Sequence, residues 1–174
     1  KRTILAPVLA VLLLTAPPLP ATTRYVWSGG SETAPYTNWA TAAKRPHLAA
    51  NLSQNGDLVL ITNGTYLFST SVNITNGVTV RSVNGRDVTF LNGNAGRRGV
   101  YMTHPDGVVD GLTITNGYNG GSGGAGIYMT AGLAKNCRIM KSTTASGGGG
   151  VRIQGGVITN CIVEDNRAPN NGDG

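Results

Sequence analysis

Residues 123–146 read GGAGIYMTAGLAKNCRIMKSTTAS and residues 147–170 read GGGGVRIQGGVITNCIVEDNRAPN, so that a shift of 24 residues superimposes the two without a gap. Gly123, Gly124 and Gly126 fall on Gly147, Gly148 and Gly150, and these on Asn171, Gly172 and Gly174. Ile127 and Met129 fall on Val151 and Ile153, Leu133 on Val157, Asn136-Cys137 on Asn160-Cys161, and Ile139 on Val163. Apolar character therefore survives at alternating positions while the residues between them change.

One turn earlier, Val100-Tyr-Met-Thr103 matches Ile127-Tyr-Met-Thr130 and Gly111-Leu-Thr-Ile114 matches Asn136-Cys-Arg-Ile139, with the extra residues falling near His104 to Gly107 and before Gly123. Insertions between apolar pairs are what loops at the corners of a coil tolerate. Within each repeat the pairs Val100/Met102, Leu112/Ile114, Ile127/Met129, Cys137/Ile139, Val151/Ile153 and Cys161/Val163 have period 2. That period means short strands with these residues on one face and Tyr101, Thr113, Tyr128, Arg138 and Arg152 on the other. Such strands cannot bury an apolar face alone, so successive repeats must stack.

Upstream the same grammar continues less regularly in Leu58 to Ile61, Val72/Ile74, Val78/Val80 and Val88/Phe90, divided by Asn63-Gly64, Asn76-Gly77 and Asn84-Gly85. Asn-Gly pairs supply positive φ at corners. About five coils are expected, which at about 4.8 Å per stacked strand is a rod of about 25 Å. Pro46 to Gln54 reads as a helix covering the first coil, with Pro46 in its first turn, Leu48 and Leu52 on one face and Gly56 ending it. If Leu52 is buried there, Leu52→Ala costs about 2 to 4 kcal/mol. A leucine-rich repeat shares the period, but Leu112 and Leu133 are the only leucines after residue 100 and Gly147 to Gly150 resists helix.

The chain has 174 residues, 26 of them Gly, with 13% charged residues and a formal charge of +6. Lys1 and Arg2, the apolar run Ile4 to Ala16 and the segment Pro17 to Ala21 together read as a secretory signal cleaved after Ala21. The run is too short to span a bilayer, and the start at Lys1 rather than Met marks an unnatural beginning. The expected organisation is thus a signal at 1–21, an N-terminal extension and capping helix at 22–56, and β-coils from 57 to 174. Without the signal there remain 12 basic and 8 acidic residues, a charge of +4. The pairs Lys44-Arg45 and Arg97-Arg98 lack interleaved aromatics and read as solvated turns, so no nucleic-acid partner is expected. The chain stops in mid-repeat at Asn171-Gly-Asp-Gly174 with no cap, so further coils are expected to follow.

These features resemble exported bacterial proteins of the pectin-lyase-like superfamily of right-handed parallel β-helices. The resemblance rests on Tyr36-Thr-Asn-Trp39-Ala-Thr-Ala-Ala43, Gly56-Asp57-Leu-Val-Leu-Ile61, Asn63-Gly64-Thr65-Tyr66 and the Asn-Cys repeats, and covers roughly residues 24 to 174. It implies an all-β, right-handed parallel β-helix solenoid with a short N-terminal capping helix. The superfamily holds polysaccharide lyases, glycoside hydrolases and adhesins alike, so activity does not follow from fold.

Candidate chemistry is sparse. Asp106 and Asp110 lie in turn-forming Asp-Gly pairs, and Glu164 and Asp165 are adjacent and point to different faces, so neither pair has the opposed geometry of glycoside hydrolysis. His47 and His104 have no partner at metal-ligand spacing, and no metal or cofactor is expected. The runs Gly120 to Gly126 and Gly147 to Gly150 lack the Lys-Ser/Thr of a phosphate loop and read as flexible corners. Cys137 and Cys161 occupy equivalent places in adjacent coils and are expected as buried free thiols, not a disulfide. What remains is an outward stripe of Tyr101, Tyr128 and Arg152, flanked by Thr103, Thr130 and Gln154, which could contact sugar rings or serve only as a cross-strand ladder. The two functions carried forward are a secreted or cell-surface scaffold, adhesin-like or weakly glycan-binding, and the N-terminal part of a polysaccharide lyase or glycoside hydrolase with its catalytic coils beyond residue 174.

Overall fold

Short period-2 strands separated by small residues do stack into a parallel solenoid. The computed structural model describes residues 20–67 and 69–169, and the proposed signal falls almost wholly outside them. The chain makes about four turns rather than five, with one short helix. Its first sheet stacks β1 (Thr23–Val26), β2 (Leu58–Ile61), β5 (Thr79–Ser82), β8 (Val108–Asp110), β12 (Leu133–Lys135) and β16 (Val157–Thr159). A second stacks β3 (Gly64–Leu67), β6 (Thr89–Asn92), β9 (Thr113–Thr115), β13 (Arg138–Met140) and β17 (Ile162–Glu164). A third stacks β4 (Val72–Ile74), β7 (Val100–Met102), β11 (Ile127–Met129) and β15 (Val151–Ile153). The Gly-rich stretch is not all loop, because β10 (Tyr118–Ser122) pairs with β14 (Thr143–Ser146) as a small fourth sheet.

The registers are those of the repeat. Tyr128 pairs with Tyr101 on one side and Arg152 on the other, while Ile139 pairs with Ile114 and Val163. The inward residues Val59, Ile61, Val72, Ile74, Val80, Val100, Met102, Leu112, Ile114, Ile127, Met129 and Ile139 are fully buried in one continuous core. Asn136 and Asn160, at φ 54° and 50°, turn the chain from the first sheet into the second, where Gly111 does so one coil earlier at φ 66°. Asn tolerates this left-handed conformation because its short amide bonds locally. The amides also bond between coils, Asn160 Nδ2 donating to Asn136 Oδ1 at 2.7 Å and Asn136 Nδ2 to Asp110 Oδ1 at 2.7 Å. Of the Asn-Gly corners, Gly64 and Gly85 take positive φ and Gly77 does not.

Beyond these corners, the structure departs from the sequence expectation in several places. In β6 the inward residues are Thr89 and Leu91, while Val88 is exposed and Phe90 half-buried. A slip of one residue exchanges the two faces of a strand. Thr113 is buried rather than outward because the loop after β5 folds over it, its Oγ1 donating to the Arg86 carbonyl at 2.7 Å. Cys137 is buried in the place that Leu112 fills one coil earlier, and Cys161 follows it half-buried. Both are free thiols, with the Cys137 N–H pointing at Cys161 Sγ at 3.4 Å.

The cap forms as α1 (Pro46–Leu52), with Pro46 in its first turn as expected. Its inner face, however, is Pro46, His47, Ala49 and Ala50, and Leu52 is 41% exposed. Of the two leucines expected there, Leu48 is half-buried and packs against the core while Leu52 points away, so the small residues, with Pro46 and His47, form the fully buried part of the face over β1, β2 and β4. Ser53, not Gly56, ends the helix, its N–H bonding the Ala50 carbonyl at 3.1 Å and its Oγ the Ala49 carbonyl at 2.9 Å. Below it, Asp57 ties the start of the coil together. Its carboxylate accepts the Thr22 N–H at 2.7 Å, the Gln54 N–H at 2.8 Å and Arg24 Nη1 at 2.6 Å. Burial alone would raise this carboxyl, but those donors outweigh burial and hold it below the usual carboxylate range.

Candidate functional site

The in-register stacking of β7, β11 and β15 places Tyr101, Tyr128 and Arg152 at one outward position on the third sheet, with Asn73 of β4 before them. The tyrosine rings stack on each other, centroids 5.5 Å apart and planes 17° from parallel. Parallel strands repeat at about 4.8 Å, so flat rings at matched positions meet face to face without adjustment. The stripe is therefore a ladder seen edge-on, not a flat aromatic platform. Tyr128 donates its hydroxyl hydrogen to Gln154 Oε1, which joins the ladder to the polar row beside it.

Arg98, just before β7, completes the group. Its Cζ stands 4.7 Å from the Tyr128 ring centroid and 5.9 Å from that of Tyr101, and Arg152 Cζ lies 5.9 Å from Tyr128. Arg98 is half-buried rather than a solvated turn, anchored by Nε on the Gly124 carbonyl at 2.9 Å and Nη2 on the Gly123 carbonyl at 3.2 Å. Burial lowers its pKa from the usual arginine value, the nearby tyrosines oppose this, and Arg152 reinforces it. The sequence did place Arg97-Arg98 immediately before a strand, but only the next coil's Gly123 and Gly124 carbonyls fold Arg98 over the rings.

The acidic candidates sit elsewhere. Asp110 lies 3.6 Å from Lys135 Nζ and accepts Asn136, Glu164 pairs with Arg138, and the Asp106 N–H points at His104 Nδ1 at 3.2 Å. These are bonds that brace corners and strands. Among the described residues, no group of three or more His, Cys, Asp and Glu side chains gathers as a metal site. His47 is buried in α1 with its Nδ1 unpaired. No described helix is long and apolar enough to cross a membrane.

Comparison with protein-family models, with curated proteins and with solved structures finds no match to this chain. Function must be argued from the surface itself.

Proposed function

We propose that this protein is a secreted or cell-surface β-helix scaffold whose third sheet makes weak contacts with a glycan. The observation that carries the reading is the in-register ladder of Tyr101, Tyr128 and Arg152, with Arg98 over the rings and Gln154 beside them. Because the rings face one another, recognition comes from their edges, from hydroxyls and from guanidinium hydrogens, the groups that bind sugar hydroxyls. Export is supported by Lys1, Arg2 and the apolar run that follows. The right-handed sense is supported by the rule for crossovers between parallel strands, and kinship with the pectin-lyase-like superfamily by the quoted segments.

The test is a glycan array or affinity gel comparing wild type with the Tyr101→Ala, Tyr128→Ala double variant, both checked for folding. Loss of retention on any polysaccharide in the variant is the expected result. Equal retention on all of them would reduce the ladder to cross-strand packing, worth about 0.2 to 1 kcal/mol per pair.

A second reading has its own observation. Ile153 and Val163 are 51% and 49% exposed, whereas Met129 and Ile139, their counterparts one coil earlier, are fully buried. Further coils stacked on this face would bury them, and a lyase or hydrolase would carry its acidic residues there. Stacked Asp, Arg or His at the repeat spacing in adjoining sequence would favour that enzyme.

A further inference from the structure

Beside the tyrosine ladder the chain leaves a hollow that the ladder does not use. The loop between β6 and β7 and the start of β10 enclose a cleft of about 310 Å³ lined by Ser71, Arg97, Arg98, Tyr118 and Asn119. A second hollow, lined by Ser69, Asn94 and Arg97, adjoins it at Arg97. Arg98 is common to the cleft and the ladder, so one ligand can touch both.

The charges in this cleft are unbalanced. Among the described residues the ion pairs join Asp57 to Arg24, Glu32 to Arg45, Asp110 to Lys135 and Glu164 to Arg138, and neither Arg97 nor Arg98 is paired with a carboxylate. Among the described residues the hydrogen bonds of Arg97 go to main-chain carbonyls, Nε to Ser69 at 3.1 Å and Nη1 to Gly96 at 3.2 Å, and those of Arg98 go to the Gly124 and Gly123 carbonyls. Carbonyls orient a guanidinium without neutralising it. They also leave Nη2 of Arg97 and Nη1 of Arg98 with no hydrogen-bond partner among the described residues, and a guanidinium carries five donors. Tyr118, 44% exposed, adds a phenol at the rim.

We propose that this cleft is an anion subsite of the glycan surface, taking the sulfate or carboxylate group of an acidic saccharide that lies along the tyrosine ladder. The inference rests on the glycan reading above and adds charge selection to it. A hollow of this size is at the small end for ligand pockets and suits one sugar residue. Two oriented guanidiniums bind oxyanions through charge-assisted bonds. A single-stranded nucleic acid fits less well, because a run of bases needs several open ring faces and those of the Tyr101–Tyr128 ladder are covered by each other and by Arg98.

Three affinity gels with one backbone test this: dextran, dextran sulfate and carboxymethyl dextran. Wild type is expected to be retained by at least one charged gel and not by dextran, with retention weakening as salt is added. Retention on only one charged gel identifies the group. Arg97→Ala is expected to bind the charged gel roughly tenfold more weakly, while Lys44→Ala, which removes the same charge outside the cleft, matches wild type. Arg97→Gln, which keeps a donor toward Ser69, replaces Arg97→Ala if the latter melts early. Equal weakening by Arg97→Ala and Lys44→Ala, or equal retention of wild type on dextran, overturns the subsite; the second result leaves the glycan reading standing. Weakening by Arg97→Ala with the Tyr101→Ala, Tyr128→Ala variant unaffected supports the cleft and sinks the ladder as a contact.

Discussion

Gly126 shows why the repeat carries glycine where it does. Its φ is not in the left-handed region, so backbone freedom is not the reason. A Cβ built there would collide with Ile139 Cγ2 and stand 2.6 Å from the Gly150 carbonyl oxygen, and Gly99 one coil earlier meets the Gly126 carbonyl at the same 2.6 Å. The backbones are that close because Val100 bonds the Gly126 carbonyl and Gly126 bonds the Gly150 carbonyl, each at 2.9 Å. What reads as a flexible corner is a packed one. Gly126→Ala is accordingly expected to cost about 1 to 3 kcal/mol by overpacking, since a carbonyl in a ladder cannot move aside as a side chain can. A chemical melt showing no loss would mean that the coils separate at this corner at little expense.

At the scale of the element, α1 is held by Pro46, His47, Ala49 and Ala50, with Leu48 packed beside them. Leu52 is exposed, so Leu52→Ala is expected to change stability by less than about 0.5 kcal/mol, in contrast to the cost of a buried leucine. His47, on the inner face, has its pKa lowered, first by burial and then by Arg45, with Glu32 opposing. The folded protein therefore binds a proton at His47 less readily than the unfolded chain does. Stability is full above the unfolded value near 6.5 and falls as pH drops below it, until the folded group also titrates. Asp57 acts in the same direction further down, its contribution lost as pH falls through its own lowered pKa. Chemical melts at about pH 7 and about pH 5.5 separate the two, because an aspartate contributes little change in that window. Wild type is expected to lose stability across it and His47→Leu to lose less; parallel losses would mean that the histidine is reached by water.

For the whole molecule, each coil touches mainly its neighbours, so stability behaves as a sum of coils and interfaces. The first coils are covered by α1 and clamped by Asp57, whereas β15, β16 and β17 are the edge strands of their sheets among the described residues and expose Ile153, Val157, Ile162 and Val163. Local opening is easiest where fewest apolar contacts hold the backbone. Amide hydrogen exchange is expected to be slowest in β5, β8 and β9 and fastest in β15 to β17. Uniform protection from one end to the other would mean that the solenoid opens as one cooperative unit.

Alternation of apolar residues and the 24-residue period were enough to give strands, parallel stacking, register from Val100 onward and the inward place of Cys137 and Cys161, because these depend on period alone. The period also placed Tyr101, Tyr128 and Arg152 in one row. Where the repeat weakens, between residues 84 and 92, periodicity could not choose between two registers one residue apart, and the structure turns Thr89 and Leu91 inward, with the buried Thr89 hydroxyl satisfied by Ser82 Oγ at 2.7 Å. The face of α1 was likewise decided by how the helix sits on β1, β2 and β4, which buries His47, Ala49 and Ala50 and leaves Leu52 out, and a helical period does not encode that placement. Arg98 entered the candidate surface only because the carbonyls of Gly123 and Gly124, from the next coil, hold it over Tyr128. Local pattern determined which residues alternate and repeat; contacts between distant segments, set by backbone approach and the space left over, determined which face is inside and which charges are left without a carboxylate.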